Sequence, residues 1–160
     1  LKSGDPSIFG RATEELDAGK DADIPVEVVP GITAASAASA MMGRSLTERG
    51  ETDTVILATG TCRPGDAAPD WAHHVRGGTT LAVYMGVRNA GEISLNLLRA
   101  GASASTPVDL ACDVSTPQQR LIPATIGTLK QTLTEHGIKG TTLIMIRFPK
   151  SADQAGVVAA

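Results

Sequence analysis

The chain has 160 residues, enough for one ordinary domain or two small ones with a real core. Hydrophobic residues make up 42%, charged residues 19% and aromatics 2%, with a net charge of −3, which fits a water-soluble globular chain without the basic stripe or stacking platform that nucleic-acid binding uses. No apolar run is long enough to cross a bilayer, no signal-peptide pattern opens the sequence, and Cys62 and Cys112 give neither a disulfide framework nor a zinc spacing; a reducing cytoplasm is expected, with neither membrane nor nucleic acid as partner.

Leu1-Lys2-Ser3-Gly4-Asp5-Pro6 has no initiator Met and opens on a loop, as if a strand had just ended upstream, so the sequence reads as a fragment. Asp5 is a good N-cap, Pro6 suits a first helical position, and Ile8, Phe9, Ala12 and Leu16 recur at helical spacing as far as Gly19. Ser3-Gly4-Asp5 is then a strand-to-helix loop, where doubly wound folds place ligands; a plain helix start is the alternative.

The stretch from Val26 to Ala40, VEVVPGITAASAASA, changes character twice. Its β-branched run predicts a strand that stops at Pro30-Gly31, and the small residues behind Thr33 predict a helix. Gly31 can take a positive φ there, and Thr33 can cap the helix N-terminus with its hydroxyl. A turn of this kind presents bare backbone groups to a neighbour, and a helix built of alanine and serine is thin enough for a flat ligand to approach. Tight packing of such a helix on a sheet is the other reading.

Periodicity fades between Met41 and Glu51, which marks a domain boundary. Beyond it, strands are predicted over Thr54–Ala58, Thr80–Met85, Val108–Cys112, Arg120–Ile126 and Thr142–Ile146. A loop runs from Gly60 to Pro69, with a short helix around Trp71–Val75. Asn89–Ala100 is an amphipathic helix, with Ile93, Leu97 and Leu98 on one face and Gly101 behind it, and Leu129–His136 is a second. The tail from Lys150 to Ala160 is expected to fray.

LKSGDPSIFGR followed at this distance by VVPGITAAS resembles the tetrapyrrole (corrin/porphyrin) methyltransferases that use S-adenosylmethionine, most closely the branch that C-methylates uroporphyrinogen III, the first activity of siroheme synthase. The resemblance continues through Leu46-Thr47, Thr59-Gly60, the segment Leu81-Ala82-Val83-Tyr84-Met85-Gly86, Thr106-Pro107-Val108, and Thr116 with Gln119-Arg120. It implies a two-domain α/β architecture with the cofactor in the cleft: residues 1–48 as the rear of the first domain, 49–150 as a complete mixed-sheet second domain, 151–160 as a flexible tail. By motif, Ser3, Gly4, Asp5, Ile8, Thr33, Ala34, Met85 and Val114 would meet the cofactor, with no metal involved. The catalytic acid and base would lie upstream of Leu1, and the family works as homodimers. The chemistry agrees: the cofactor has no phosphates to cradle, so backbone groups suit its adenine edge, a carboxylate such as Asp5 its ammonium, and the Met85 thioether its adenine face.

Four places depart from the family pattern. Ser3 stands where a glycine is usual; Glu48 and Gly50 replace a histidine and an aspartate; Val114 replaces a glycine, where a branched side chain could fill part of the cleft; and Arg147 replaces another glycine. Glu48 would add a negative charge near a polycarboxylate substrate. His73-His74, about 100° apart on a helix and without a carboxylate at ligand spacing, read as surface residues. Arg44, Arg49, Arg63, Arg88 and Arg120 lie in loops or at strand ends; most would be solvated, and some would hold substrate carboxylates. The expected activity is C-methylation of uroporphyrinogen III. The alternatives are a non-catalytic cofactor-binding or dimerisation module of the same fold, and methylation of another tetrapyrrole such as a cobalt-corrin precursor.

Overall fold

Runs rich in branched and aliphatic side chains alternate along the rear two thirds of the chain with helical patterns, and in the computed structural model, which describes residues 2–62 and 69–150, they build one mixed sheet. Its strands are β1 (Thr54–Thr59), β2 (Thr79–Tyr84), β3 (Pro107–Cys112), β4 (Arg120–Thr125) and β5 (Thr142–Phe148), in the order β1-β2-β5-β3-β4. β1 and β2 are parallel; β5 runs antiparallel to both β2 and β3, and β4 antiparallel to β3. Pro123 is tolerated because β4 is an edge strand with a free side. The α/β class expected from the sequence is the class observed. Arg63 and residues 151–160 lie outside the described residues.

The two faces of the sheet are covered differently. On one, Leu81, Val83, Val108, Leu110, Ile144 and Ile146 pack beneath α3 (Ala90–Arg99) and α4 (Leu129–Glu135), which contribute Ala90, Ile93, Leu97, Leu129 and Leu133. The third residue expected on that face of α3, Leu98, is instead 37% exposed. The other face is sealed by α2 (Ala34–Met42), whose Ala35 and Ala38 are fully buried against Ala82, Ala111, Leu143 and Met145. The thinness of α2 is therefore used first for close packing on the sheet, and Ala34, at its start, is only half-buried.

Three local expectations are corrected. The helix predicted from Pro6 begins only at Ala12, as α1 (Ala12–Asp21). Phe9 and Arg11 adopt left-handed backbone angles, φ 54° and 57°, which no helix accommodates, and the Phe9 ring lies against that of Tyr84 with centroids 4.9 Å apart. Asp5 still acts as a local cap, its carboxylate accepting the Ser7 amide at 2.8 Å and the Ser7 hydroxyl. Second, Val26–Val29 belongs to no strand, because no described strand pairs with it; Val26 lies against Gly19 of α1, and Val29 is 70% exposed. Third, Trp71–Val75 forms a single 3₁₀ turn, Ala72–His74, pinned by the Trp71 indole N–H donating to the Thr59 carbonyl at 2.9 Å.

The segment between α2 and β1 is tied to the sheet along its length. The Arg44 guanidinium lies 3.1 Å from the Asp109 carboxylate on β3, Glu48 pairs with Arg147 on β5, and Asp53 pairs with Lys150 just beyond it. Thr52, in the middle, is buried. Two of the departures from the family pattern thus meet each other: the charge of Glu48 is met by Arg147 and is not left free to repel an acidic ligand.

Candidate functional site

One edge of the sheet collects the C-terminal ends of β1, β2 and β3 and the start of β5, since Thr59 pairs with Tyr84 and Cys112 with Thr142. Open α/β sheets bind ligands at such an edge, because loops leaving parallel strands diverge there and leave a crevice. A cavity of about 590 Å³ lies at this edge, lined by Ala34, Thr61, Tyr84, Met85, Val87, Arg88 and residues 139–143. That size falls within the range of about 300–1,000 Å³ usual for small-molecule sites.

Met85 is the most unusual residue in the wall. It follows β2 directly with φ 54°, a left-handed conformation uncommon outside glycine, and is 50% exposed, with its sulfur 3.9 Å from the Thr61 hydroxyl. A large apolar side chain held in a strained backbone and left half in solvent is what a ligand-facing wall looks like before the ligand covers it. Ala34, at the N-terminus of α2, lines the same cavity. Thr33 occupies the N-cap position but makes no side-chain cap bond. The capping expected of its hydroxyl is done by Tyr84, whose phenol oxygen accepts the Ala35 N–H at 3.0 Å and shares a 2.6 Å hydrogen bond with the Thr33 hydroxyl.

The turn before α2 leans on the first loop. Gly31 donates its N–H to the Asp5 carboxylate at 3.2 Å. Its need for glycine is not the positive φ expected from the sequence, since Gly31 is absent from the left-handed residues; a Cβ there would sit 2.1 Å from the Gly4 carbonyl oxygen and 2.8 Å from its carbon. The glycine that does turn left-handed is Gly4, φ 78°. The Asp5 carboxyl is held below its ordinary value by the Ser7 hydroxyl first, then by the Ser7 and Gly31 amides, so near neutral pH it is an anion already bonded on three sides.

Of the eight residues the motifs singled out, Ala34 and Met85 share the cavity wall. Thr33 adjoins it through Tyr84, and Gly4 and Asp5 support the turn that leads into it. Ser3 is exposed and Ile8 half-buried, its N–H donating to the Asp5 carbonyl at 3.3 Å; neither lines the cavity. Val114 is not itself left-handed, although Asp113 and Ser115 on either side are; it packs half-buried with the cluster around Ala111 and Leu143 and does not project into the cavity lining. The residues the sequence reading missed are Tyr84, Thr61 and the Lys139–Thr142 segment, whereas Arg88, one of the loop arginines considered for substrate carboxylates, does line the cavity. Their signal was positional: each flanks the end of a strand at the edge where Met85 lies.

His73 and His74 do not diverge as helical neighbours would. Their rings lie 3.8 Å apart, and His73 Nδ1 is 3.2 Å from the Asp70 carboxylate. Among the described residues no cluster of three or more His, Cys, Asp or Glu side chains is arranged to hold a metal, and no helix is long and apolar enough to cross a membrane.

A mixed sheet whose strand ends frame a largely apolar cavity against the start of a small-residue helix places the chain among α/β proteins with a cleft at the ends of their strands. The chain belongs to the tetrapyrrole methylase family: the profile described as Tetrapyrrole (Corrin/Porphyrin) Methylases matches residues 1–130. Siroheme synthase of Zymomonas mobilis is 48% identical over 122 residues, covering 76% of this chain and 26% of that protein. Siroheme synthase 1 of Cronobacter sakazakii is 44% identical over 129 residues, covering 81% and 27%. Among solved structures, a cobalt precorrin-4 methyltransferase matches with TM-score 0.79 and 26% identity over 90% of this chain and 61% of that one. Uroporphyrin-III C-methyltransferase from Thermus thermophilus, complexed with S-adenosyl homocysteine, matches with TM-score 0.72 and 31% identity over 90% and 62%. The chain thus spans about a quarter of the curated relatives it matches and about three fifths of the solved methyltransferase chains.

Proposed function

We propose that this chain carries part of the cofactor site of a methyltransferase that moves the methyl group of S-adenosylmethionine onto a pyrrole carbon of uroporphyrinogen III, towards siroheme or cobalamin. The observation that carries the reading is the cavity that brings Ala34 and Met85, two of the motif-matched residues, into one wall. The residues suit the cofactor. Tyr84, Met85 and Leu143 offer an apolar surface to a flat heterocycle, Ala34 presents the start of a helix whose backbone donors suit its edge, and among the described residues no acidic side chain lines the space to repel a carboxylate.

When bound, S-adenosylmethionine supplies a methyl carbon on a sulfonium, to which the pyrrole carbon bonds as the old carbon–sulfur pair returns to sulfur. The residues of this chain then act mainly by orientation. Tyr84, Met85 and Ala34, which line the cavity, would hold the cofactor, and the turn before α2 would support Ala34. Asp5, kept ionised by its three donors, suits the cofactor's ammonium. Arg88 and Lys139 stand at the rim, where they can hold substrate carboxylates. Among the described residues the lining includes no carboxylate and no histidine, in keeping with a base supplied from elsewhere in the whole protein. Residues 1–48 and 49–150 as parts of two domains, and a homodimeric, cytoplasmic enzyme, complete the proposal.

A second reading has its own support in the cobalt precorrin-4 methyltransferase likeness: the same site would serve a different corrin precursor. The test is to titrate the whole protein with S-adenosyl homocysteine by calorimetry and to analyse products after incubation with S-adenosylmethionine and uroporphyrinogen III. Saturable binding and methylated product support the proposal. Binding without product from that substrate favours the second reading, and no binding refutes both.

A further inference from the structure

The proposed function leaves Tyr84 only as part of an apolar wall, yet its contacts reach further. From the end of β2 it touches both loops that the sequence motifs assign to the cofactor. Its hydroxyl takes the Ala35 N–H at 3.0 Å and bonds the Thr33 hydroxyl at 2.6 Å. Its ring packs on Phe9, whose left-handed backbone turns the first loop towards it. Its own carbonyl accepts the Gly60 N–H at 2.7 Å, which ties it to the end of β1. The next residue is Met85.

We infer that Tyr84 is a positioning residue: it sets the separation between the Thr33–Ala34 turn and Met85, and so the width of the slot into which the cofactor nucleoside fits. This rests on the proposed cofactor site. The physical reason lies in the cap. A helix N-terminus normally satisfies its own donors with the N-cap side chain, a local bond that leaves the helix free to move as a unit. Here the N-cap residue is a threonine competent to do this, and it does not. The Ala35 donor is satisfied from β2, about fifty residues away in sequence, so α2 keeps its cap only while the turn stays at the right distance from the strand that ends in Met85. The phenol is rigid and half-buried, which makes the distance well defined.

Tyr84→Phe keeps the ring and its Phe9 contact and removes both hydrogen bonds. In the whole protein, the KM for S-adenosylmethionine should rise about tenfold, and the affinity for S-adenosyl homocysteine should fall by the same factor. The kcat at saturating cofactor and the KM for the tetrapyrrole should stay within about twofold. A merely structural role would lower the melting temperature and leave the cofactor KM unchanged; that outcome overturns the inference. Thr33→Val removes one of the two bonds and leaves Tyr84 in place, so it serves if Tyr84→Phe fails to fold; it should raise the same KM by a smaller factor, and no rise would also overturn the inference. If wild type does not bind S-adenosyl homocysteine at all, the proposed function fails first. Wild-type binding with an unchanged Tyr84→Phe affinity defeats this inference alone.

Discussion

Replacing Gly31 with alanine would put a methyl group 2.1 Å from the Gly4 carbonyl oxygen, 2.8 Å from its carbon and 3.2 Å from the Asp5 Cα, all of them backbone atoms that no rotamer change can clear. Non-bonded carbon contacts settle near 3.5 Å, so the turn and the first loop must part by roughly 1 Å or more. Overpacking of this kind costs about 1–3 kcal/mol where the surroundings are rigid. Both segments are exposed at this point, so in the free protein they can separate and relieve the strain. It returns when a ligand draws them together again, and the cost then falls on binding: about 1–3 kcal/mol, or roughly 5- to 150-fold weaker affinity. The assay is calorimetric titration of the whole protein with S-adenosyl homocysteine beside a urea melt, in which the midpoint should hardly move. Gly43→Ala is the control. It has φ 60° and nothing within 4 Å, so it should lower stability by about 1–2 kcal/mol through backbone strain and leave affinity alone. Wild-type affinity in Gly31→Ala would show that the contact between the two loops has no part in the site.

Met85→Ala should weaken the same binding by about 2 kcal/mol, because covering the exposed half of a methionine removes roughly 80–100 Å² from water at about 25 cal/mol per Å²; equal affinities by calorimetry would take Met85 out of the site. The Asp5 carboxyl titrates below its ordinary value in the folded chain, so its contact with Gly31 is intact above the unfolded value and is lost as pH falls through the depressed one. Ser7→Ala removes the largest cause of that shift, and the Gly31 amide resonance, followed by NMR during acid titration, should then move at higher pH than in wild type. Leu97→Ala empties a fully buried site between α3 and the sheet and should cost about 2–5 kcal/mol in a urea melt, with a loss below about 1 kcal/mol contradicting the packing described.

Most of the sheet and its helices could be read directly from the chain. Thr54–Ala58, Thr80–Met85 and Thr142–Ile146 are runs of aliphatic and branched side chains, and Asn89–Ala100 has a single apolar face closed by Gly101, which does adopt φ 95°. Such patterns depend on neighbours within about four residues, so local chemistry settles them wherever the fold does not object. The motif around Gly4-Asp5, the Pro30-Gly31 turn and Met85 was legible for a similar reason, as short stretches whose residue types are tied to one backbone course. What only the tertiary structure decided are contacts between residues far apart in the chain. The Phe9 ring meets Tyr84, and the backbone that places it is left-handed, so α1 starts at Ala12 although Pro6 is a better local start. Thr33 surrenders its cap to Tyr84, Gly31 is required by the carbonyl of Gly4 and not by its own dihedral, and Glu48 finds Arg147 across 99 residues. The Val26–Val29 run has the composition of a strand, yet a strand is a relation between two segments, and no described strand pairs with it. Propensity belongs to a residue and its near neighbours; a hydrogen-bond partner, a steric limit or an ion pair exists only once the fold has brought two distant stretches within a few ångströms of each other.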